Sequence, residues 1–397
     1  MSSTQSSTQS STQSSTHMST AHHPVAIVGA GLGGLTLACV LRTGGVDAAV
    51  FDLDADRHAR TQGGMLDIHE ESGQSALRAA GLYQDFLALV MPGGEAMRIL
   101  DRHADVLMEE SDDDSSHTRP EVDRGRLREL LLDALPEDAV RWGAKAAAAR
   151  TLADGRHEVT LADGTVFTAD LLVGADGAWS KVRPLLSDAV PGYTGISVVE
   201  SDLHDADARH PGAAAVVGGG ILFALGDGRG FLAHRESDGS LHVYTSLRAD
   251  RSWLDGIDFA DTEAARQAVL GQFADWDPSL RALLADAEGP LVPRHIVALP
   301  VGHRWSRVPG VTLLGDAAHV MSPFAGEGAN NAMQDGAELA QALLAHPGDT
   351  EAALARYEQA MFPRAQAAAA ESAANLEVCF AADAPKGLLD VFAAHRE

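Results

Sequence analysis

Cysteine, basic residues and long apolar runs are all scarce in this sequence. Cys39 and Cys379 are its only cysteines, so a disulfide framework is excluded and no metal site is expected. The 56 acidic residues outnumber the 30 basic ones, and the formal charge of -26 argues against nucleic acid or an anionic membrane as a partner. No apolar stretch reaches the roughly 20 residues of a membrane helix. The sequence therefore predicts a cytoplasmic protein.

Residues 1–20, which repeat Ser-Thr-Gln, also lack an apolar face. Such a segment cannot bury enough surface to fold, and it is expected to be a disordered tail or tag. The join of His17 and Met18 is typical of a cloning junction. A secretory signal is not expected here, because basic residues and an apolar core segment are both lacking.

The ordered part of the chain begins with a βαβ pattern. An apolar run at 25–28 predicts a buried strand, a Gly-rich loop follows at 29–34, and a helical pattern continues to residue 41. A second apolar run at 48–51 ends at Asp52. This order of elements is typical of a parallel sheet in an α/β protein.

The pattern changes after about residue 190. Alternating stretches at 213–224, 230–234 and 241–247 predict an antiparallel layer. Helices are expected near 74–90 and 124–135 and from near Trp179. Ala162-Asp163-Gly164 indicates a hairpin. A short strand at 310–314, a helix at 328–345 and helical structure over 350–381 complete the prediction.

Three separated motifs carry the functional argument. Gly29, Gly31 and Gly34 form a GxGxxG loop between strand and helix, which suits a dinucleotide pyrophosphate, and Asp52 stands where a carboxylate binds ribose. The second motif, Gly174-Ala175-Asp176-Gly177, is by itself no more than a common turn. The third ends a strand at Gly315-Asp316, and a Pro/Gly-rich loop then leads into a helix.

Together these motifs resemble the class A flavoprotein monooxygenases, the para-hydroxybenzoate hydroxylase-like group. The stretches GGMLDIHEESGQSALRAAGL, DRGRLRELLLDAL, FADWDPSL and YEQAMF are most similar to tetracycline-inactivating monooxygenases, and the resemblance spans about residues 24–380. It implies an α/β fold, with a Rossmann-like FAD-binding domain, an inserted antiparallel-sheet substrate domain and a C-terminal helix.

The resemblance also implies domain boundaries. The FAD-binding domain would comprise 21–190, with a small excursion to the substrate side near 90–120, and 301–346. The substrate domain would comprise 191–300, and C-terminal helices would occupy 347–397.

The resemblance assigns cofactor roles residue by residue. The expected FAD-binding residues are Gly29, Gly31, Gly34, Asp52, Gly63, Gly64, Arg124, Asp176, Gly177, Asp316, Pro323, Gly326, Gly328, Ala329 and Asn330. This chain departs from the family's pattern at the end of the second strand. The family often has Glu-Arg where this chain has Asp52-Leu53.

The implied activity is hydroxylation of a polycyclic or phenolic small molecule with NADPH or NADH and O2, by an enzyme holding FAD non-covalently. The product could serve biosynthesis or antibiotic inactivation. No second GxGxxG is present, so the pyridine nucleotide is expected to dock transiently. A flavin oxidase or dehydrogenase without oxygen insertion, and a flavin-bearing ligand-sequestering protein, remain as alternatives. A monomer or weak dimer is expected.

The expected substrate-binding residues are Glu200, Ile221, Phe223, His242, Pro323 and Phe324, and the catalytic candidates are Glu200, His242 and His69. The tetracycline-inactivating relatives place Gln, Arg and His on the substrate sheet. An ungapped alignment puts Glu200, Ile221 and His242 at those positions. Losing the Arg removes a multidentate donor, so a less anionic substrate than tetracycline is expected.

Overall fold

The computed structural model describes residues 21–59, 64–91, 94–111 and 119–394. The expected tail at 1–20 and the expected flavin contact Gly63 lie outside these residues.

The strands are, in chain order, β1 (Ala21–Val28), β2 (Ala49–Phe51), β3 (Met65–Asp67), β4 (Met97–Leu100), β5 (Val106–Glu110), β6 (Glu121–Asp123), β7 (Val140–Arg141), β8 (Ala146–Thr151), β9 (His157–Leu161), β10 (Val166–Gly174), β11 (Gly192–Leu203), β12 (Ile221–Gly226), β13 (Arg229–Arg235), β14 (Leu241–Arg248), β15 (Glu288–Ala298) and β16 (Val311–Leu313).

The α-helices are α1 (Leu32–Thr43), α2 (Ser75–Ala79), α3 (Tyr83–Leu87), α4 (Arg124–Asp133), α5 (Ala206–Arg209), α6 (Pro211–Val217), α7 (Arg251–Asp255), α8 (Thr262–Gly271), α9 (Pro278–Ala285), α10 (Asp316–His319), α11 (Glu327–Ala345), α12 (Thr350–Cys379) and α13 (Lys386–Ala394). A π-helical turn covers Glu70–Gln74, and a 3-10 turn covers Arg183–Leu185.

The first sheet has the strand order β7-β2-β1-β10-β9-β8, and β16 pairs with the carboxyl half of β10. Its central strands β2, β1, β10 and β16 are parallel. Parallel strands are buried on both faces, and the carboxyl half of β1 accordingly consists of buried Ala26, Ile27 and Val28. The loops that follow β1, β10 and β16 therefore meet at one edge of this sheet.

Helices α1 and α11 pack closely against each other beside this edge. A Cβ atom at Gly33 would lie 2.6 Å from the carbonyl oxygen of Ala332, and one at Gly336 would lie 2.4 Å from that of Gly33. Glycine at these two positions thus lets the backbones approach. Helix α12 also packs against α11.

The second sheet has the order β15-β11-β14-β13-β12-β4-β5, antiparallel except where β12 meets β4. It therefore combines strands from 97–110 with strands from 192–298. Because side chains alternate along a strand, each strand gives one set of residues to each face. Leu222, Ala233 and Val243 share a buried cluster with residues of α8 and α9.

The alternate set of residues defines the opposite side of this sheet, which we call the inner face. Its members are Glu200, Asp202, Ile221, Phe223, His234, His242 and Tyr244.

Two expectations about local structure are wrong. Residues 211–217 form α6 rather than an alternating strand, since Pro211 at its start and a run of alanines favour a helix. No α-helix begins near Trp179; turns and the short 3-10 segment follow the Asp176-Gly177 turn instead. The hairpin at 162–164 does form, between antiparallel β9 and β10.

Among the described helices, none combines the length and hydropathy needed to cross a membrane.

Candidate active site

The three sequence motifs come together at the carboxyl edge of the first sheet. The backbone N–H of Ala175 donates to the carbonyl of Val28 at 2.7 Å, and that of Leu314 donates to Gly174 at 2.9 Å. A Cβ at Gly29 would lie 2.1 Å from the carbonyl oxygen of Ala175. The loops after β1, β10 and β16 are therefore in direct contact.

The glycines of the first loop have different roles. Gly29 adopts φ +113°, which favours glycine, and a Cβ at Gly34 would lie 2.1 Å from the Gly29 carbonyl oxygen. In contrast, a Cβ at Gly31 would meet no atom within 4 Å. Gly31 also precedes α1 without a side-chain cap, so the first N–H groups of that helix face open space and suit a pyrophosphate.

Asp52 is buried beside this loop. Its carboxylate accepts hydrogen bonds from the N–H of Ala30 at 2.6 Å and from that of Asp54 at 2.9 Å. The side chain thus fixes the loop conformation, while an ionised carboxylate keeps further lone pairs for a ribose hydroxyl. Leu53, where the family often has Arg, is 56% exposed.

The second motif forms a tight turn with an incompletely bonded acid. One carboxylate oxygen of Asp176 accepts the N–H of Lys181 at 2.6 Å, and the other, Oδ1, is buried without a partner in the described structure. Burial raises the pKa of Asp176. Gly177 adopts φ +76°, with open space where a side chain would stand. This turn therefore also offers polar atoms to a ligand.

The third motif presents an exposed carboxylate. Gly315 adopts φ +56°, and Asp316 begins α10 with an exposed side chain. The carbonyl of Ala317 accepts a hydrogen bond from Arg183 at 3.0 Å, which ties the second motif to the third. Asp316 is therefore held beside the other two loops, where it can reach a polyol.

The loop before α11 contacts the segment that contains β3. The Asn330 amide donates to the Asp67 carbonyl at 2.8 Å and accepts the His69 N–H at 3.0 Å. A Cβ at Gly328 would meet no atom within 4 Å, and Ala329 is half-buried. The carbonyl of Pro323, itself exposed, accepts the N–H of Gly326 at 3.1 Å. These residues can border a planar ring system.

His69 lies between two carboxylates. Nε2 is 2.8 Å from Asp67, and Nδ1 is 3.3 Å from Glu327. Burial alone would lower its pKa, but hydrogen bonds to Asp67 and Glu327 raise the pKa to about 9. The imidazole is therefore charged at neutral pH, so His69 is poorly suited to accept a proton. Its contacts instead hold the loop before α11 against β3.

Arg124 begins α4, and its backbone N–H donates to the Gly64 carbonyl at 3.1 Å. Its side chain is exposed. A Cβ at Gly64 would lie 3.2 Å from the hydroxyl of Tyr244. Gly64 therefore lies where the Arg124 segment meets the inner face of the second sheet.

A row of side chains crosses the inner face. Asp202 on β11 pairs with His242 on β14, His242 with His234 on β13, and His234 with Ile221 on β12. In the next row Glu200 pairs with Tyr244, and Phe223 lies on β12. The structure thus brings the predicted Glu200, Ile221, Phe223 and His242 to one surface, together with Phe324, whose ring stands edge-on to Phe380 at 5.3 Å.

His242 is oriented by an acid. Its Nδ1 is 2.6 Å from Asp202, and the ring stands edge-on to Tyr244 at 4.6 Å. If Nδ1 carries the proton given to Asp202, Nε2 is left as an acceptor. Burial lowers the pKa of His242, but the hydrogen bond and charge of Asp202, with the charges of Glu236 and Glu200, give a net upward shift.

Glu200 is paired rather than free. Arg294 on β15 donates to its carboxylate at 3.2 Å, and Glu200 is 22% exposed. The guanidinium thus occupies one carboxylate oxygen of Glu200, whereas Nε2 of His242 is left as an acceptor when Nδ1 donates to Asp202. His242 is consequently the better candidate for acid–base chemistry.

Several residues of this surface escaped the sequence analysis. Asp202 and Tyr244 stand two positions from predicted residues on alternating strands, so the period of two could have revealed them. Glu121 and His234 carried no local signal, because their proximity depends on how the second sheet meets β6.

Replacing Asp316 with alanine is expected to weaken FAD binding by about 10- to 100-fold, since a charge-assisted contact to ribityl hydroxyls contributes roughly 1.5–3 kcal/mol. Asp163→Ala is the matched control, because that exposed carboxylate only accepts the Thr165 N–H in a hairpin turn. Fluorescence titration of apoprotein with FAD measures both affinities. Equal affinities would show that Asp316 does not contact the cofactor.

Comparison with known proteins identifies the family to which this chain belongs. The family model described as FAD binding domain matches residues 22–372. Monooxygenase penA of Penicillium thymicola is 33% identical over 410 residues, covering 88% of this chain and 93% of penA.

Two solved structures share the fold. HpxO of Klebsiella pneumoniae, complexed with FAD and uric acid, has a TM-score of 0.77 at 22% identity, covering 94% of this chain and 92% of HpxO. Tetracycline destructase Tet(51) has a TM-score of 0.71 at 20% identity, covering 95% of both chains.

Proposed function

Since this chain belongs to the FAD-binding-domain family of flavin-dependent monooxygenases, we propose that it hydroxylates a phenolic or polycyclic small molecule held on the inner face. The resemblance inferred from the three motifs is confirmed at the level of the family and the fold. The observation that carries the substrate proposal is the Asp202–His242 pair on the inner face, where Tyr244 stands beside His242 and close to Gly64.

The three loops fit FAD, because Gly31, Gly177 and Gly328 border open space and Asp176 carries a buried oxygen without a partner. Bound FAD supplies the redox chemistry, accepting hydride from NADPH or NADH and delivering oxygen from O2 to an electron-rich carbon. Asp316 would hold the ribityl chain, and the N-terminus of α1 would hold the pyrophosphate.

The protein's own contribution is to bind and ionise the substrate. His242 would take the proton of a substrate hydroxyl at Nε2, because Asp202 holds Nδ1. Loss of that proton makes the ring a better electron donor. Asp202 is 44% exposed, so it links the pair to solvent.

Apolar side chains would position the ring and exclude water. Ile221 and Phe223 lie two residues apart on β12, so both side chains are on the inner face. Phe324 lies on the loop before α11. Dry surroundings strengthen the hydrogen bonds at His242 and protect reactive species from hydrolysis. We also assign residues 191–300 to the substrate domain, because their strands form most of the second sheet. Residues 21–190 and 301–346 are assigned to the cofactor domain, except for the excursion near 90–120, whose strands β4 and β5 join the second sheet.

Tetracycline is not the substrate that this wall fits best. Ile221 pairs with His234 and Met97 and offers no donor to an ionised enolate. We expect Ile221→Arg to improve tetracycline turnover over wild type. The test is the specificity constant of both proteins with tetracycline, with phenol hydroxylation as the control. Efficient, tightly coupled turnover by wild type, unimproved in the variant, would contradict this interpretation of the pocket.

The function itself is tested by a screen of phenolic and polycyclic compounds for stimulation of NADPH and NADH oxidation. A productive ligand should yield a product that carries one atom from 18O2. Oxidised product without label would instead show an oxidase or dehydrogenase. A protein that binds ligands while none accelerates cofactor oxidation would be a sequestering protein.

A further inference from the structure

Arg128 is a buried cation directly beside the Gly-rich loop. It lies on α4, where its neighbours Leu127 and Leu131 belong to the main apolar core. Only 3% of Arg128 is exposed. Arginine is almost never buried to this extent unless its charge is paired and its N–H groups are bonded. Its position therefore depends on specific contacts with the protein around it.

The guanidinium of Arg128 connects two loops. Nε donates to the carbonyl of Ala30 in the Gly-rich loop at 3.1 Å, and Nη1 donates to the carbonyl of Arg57 in the loop after β2 at 3.0 Å. Nη2 lies 3.7 Å from the carboxylate of Asp54. The guanidinium carbon stands 5.3 Å from the ring centre of Trp142. These contacts hold the group in one place.

The bond to Ala30 determines where the next N–H points. In a trans peptide, the carbonyl of one residue and the N–H of the following residue point in opposite directions. The Ala30–Gly31 peptide is trans, and its carbonyl points at buried Arg128. The N–H of Gly31 is therefore turned away from the core, toward the open space at the start of α1 that suits a pyrophosphate.

Asp52 holds the same residue from the other direction. Its carboxylate accepts the Ala30 N–H at 2.6 Å, so side chains bind both polar backbone groups of Ala30. Asp52 follows β2 and Arg128 belongs to α4, and both side chains are buried. Two different elements thus fix the orientation of Ala30, and the direction of the Gly31 N–H follows from it.

Arg128 also brings positive charge to this end of the site. Asp52 and Asp54 are buried beside the loop, and exposed Leu53 stands where the family often has Arg. Carboxylates repel a pyrophosphate unless a cation lies close to them, and such forces are stronger in a buried site than in water. The pairing of Arg128 with Asp54 offsets part of that repulsion.

We propose that Arg128 is a positioning residue for FAD, which holds the Ala30–Gly31 peptide so that the Gly31 N–H donates to the pyrophosphate. Arg128 acts through the backbone and does not have to touch the cofactor. Lysine is a poor replacement, because the guanidinium reaches the two carbonyls with separate nitrogens of one rigid plane. This inference rests on the FAD site of the proposed function and not on its substrate.

The test compares variants of α4 in their affinity for FAD, measured by fluorescence titration of apoprotein. Arg128→Lys keeps a charge beside Asp54 and is expected to bind FAD about 10-fold more weakly than wild type. Arg128→Met removes every donor, and we expect a loss of about 100-fold. Arg126→Ala is the matched control, since Arg126 lies on the same helix but is exposed. It should bind FAD within about twofold of wild type.

Phosphorus NMR of the FAD-saturated protein separates positioning from a loss of stability. In Arg128→Lys, at least one 31P resonance of bound FAD should be displaced from its wild-type position, because the donor at Gly31 has moved. The flavin absorbance spectrum should not change, since the ring is distant from this loop. A purely structural role for Arg128 would lower Tm in both variants of that residue and leave the 31P resonances in place.

Wild-type protein gives a readout that does not depend on a variant folding. In the 15N-labelled holoprotein, the amide of Gly31 is expected to show a coupling to a FAD phosphorus through the hydrogen bond. Absence of that coupling would overturn the proposal. So would FAD affinities of Arg128→Lys and Arg128→Met that match the control, or unmoved 31P resonances in Arg128→Lys.

The proposed function fails separately from this inference. If the Arg128 variants lose FAD as expected but wild type inserts no 18O into any compound, the monooxygenase function is refuted and the role of Arg128 stands. If wild type yields labelled product but FAD affinity is indifferent to Arg128, the function stands and the positioning role is refuted.

Discussion

Replacing Asp335 with alanine is expected to lower the free energy of unfolding by about 3–5 kcal/mol, because breaking a buried ion pair leaves charges unpaired in the core. Asp335 is fully buried in α11. Its carboxylate accepts from His319 at 2.6 Å, from Arg364 at 2.7 Å and from the Gly315 N–H at 2.9 Å. The side chain therefore holds α10, α12 and the Gly315-Asp316 turn together.

The pH dependence of stability follows from the same pair. Burial raises the pKa of Asp335 and lowers that of His319, but their mutual attraction reverses both shifts, so the pKa of Asp335 is lowered and that of His319 raised. The contribution of Asp335 to the free energy of unfolding is lost as pH falls through its lowered pKa. The histidine's contribution is present below its unfolded pKa of about 6.5 and is lost as pH rises through the raised value.

Urea unfolding of the two apoproteins, compared at pH 6, measures the effect. Glu338→Ala is the matched control, because Glu338 also pairs with Arg364 but is 30% exposed at its side chain. We expect that variant to lose about 1 kcal/mol or less. Similar losses in the two variants would contradict the view that Asp335 is the anchor of this network.

Replacing His242 with glutamine is expected to lower kcat by about 10²- to 10⁴-fold for a phenol that is un-ionised at the assay pH, which is the usual contribution of a general base. A phenol already ionised at that pH should lose much less. Steady-state kinetics with the two kinds of phenol separate loss of the base from general damage. An equal loss with both would show that His242 only shapes the pocket.

The pH profile provides a second readout for the same pair. His242 must be neutral to accept a proton, and its pKa is raised by Asp202, so the acidic limb of kcat should lie above about 6.5. In Asp202→Asn the charge that raises the pKa is gone. The acidic limb of the pH profile of kcat should therefore move to lower pH. A purely structural role for Asp202 would leave that limb at the same pH.

Local patterns predicted the parallel strands of the first sheet and the turns that follow them. The loop at Gly29 and the Gly315-Asp316 turn each require a particular backbone conformation within a few residues, so composition reveals them. The strand predicted to begin at residue 213 was wrong because a run of alanines is compatible with both a period of two and a helix. Pro211 at the first position favours the helix.

The substrate half could be predicted only in part, because it depends on register. His242 meets Asp202 across 40 residues of sequence, and Glu121 approaches His234 through a separate pair of strands. A shift of one residue in either pairing would turn these side chains to the other face. Local patterns do not reveal that register, because it depends on how strands distant in sequence pair with each other.

The close packing of α1 on α11 also bears on how the protein is made. The Gly-rich loop and α1 leave the ribosome early, but α11 follows only after roughly 280 further residues, a delay on the order of 15 to 60 seconds at typical synthesis rates. During that time the apolar side of α1 lacks the partner that Gly33 and Gly336 admit. We therefore expect stable cofactor capture only after α11 has been made, and a nascent chain that stops before α11 should be a target for chaperones rather than a flavoprotein.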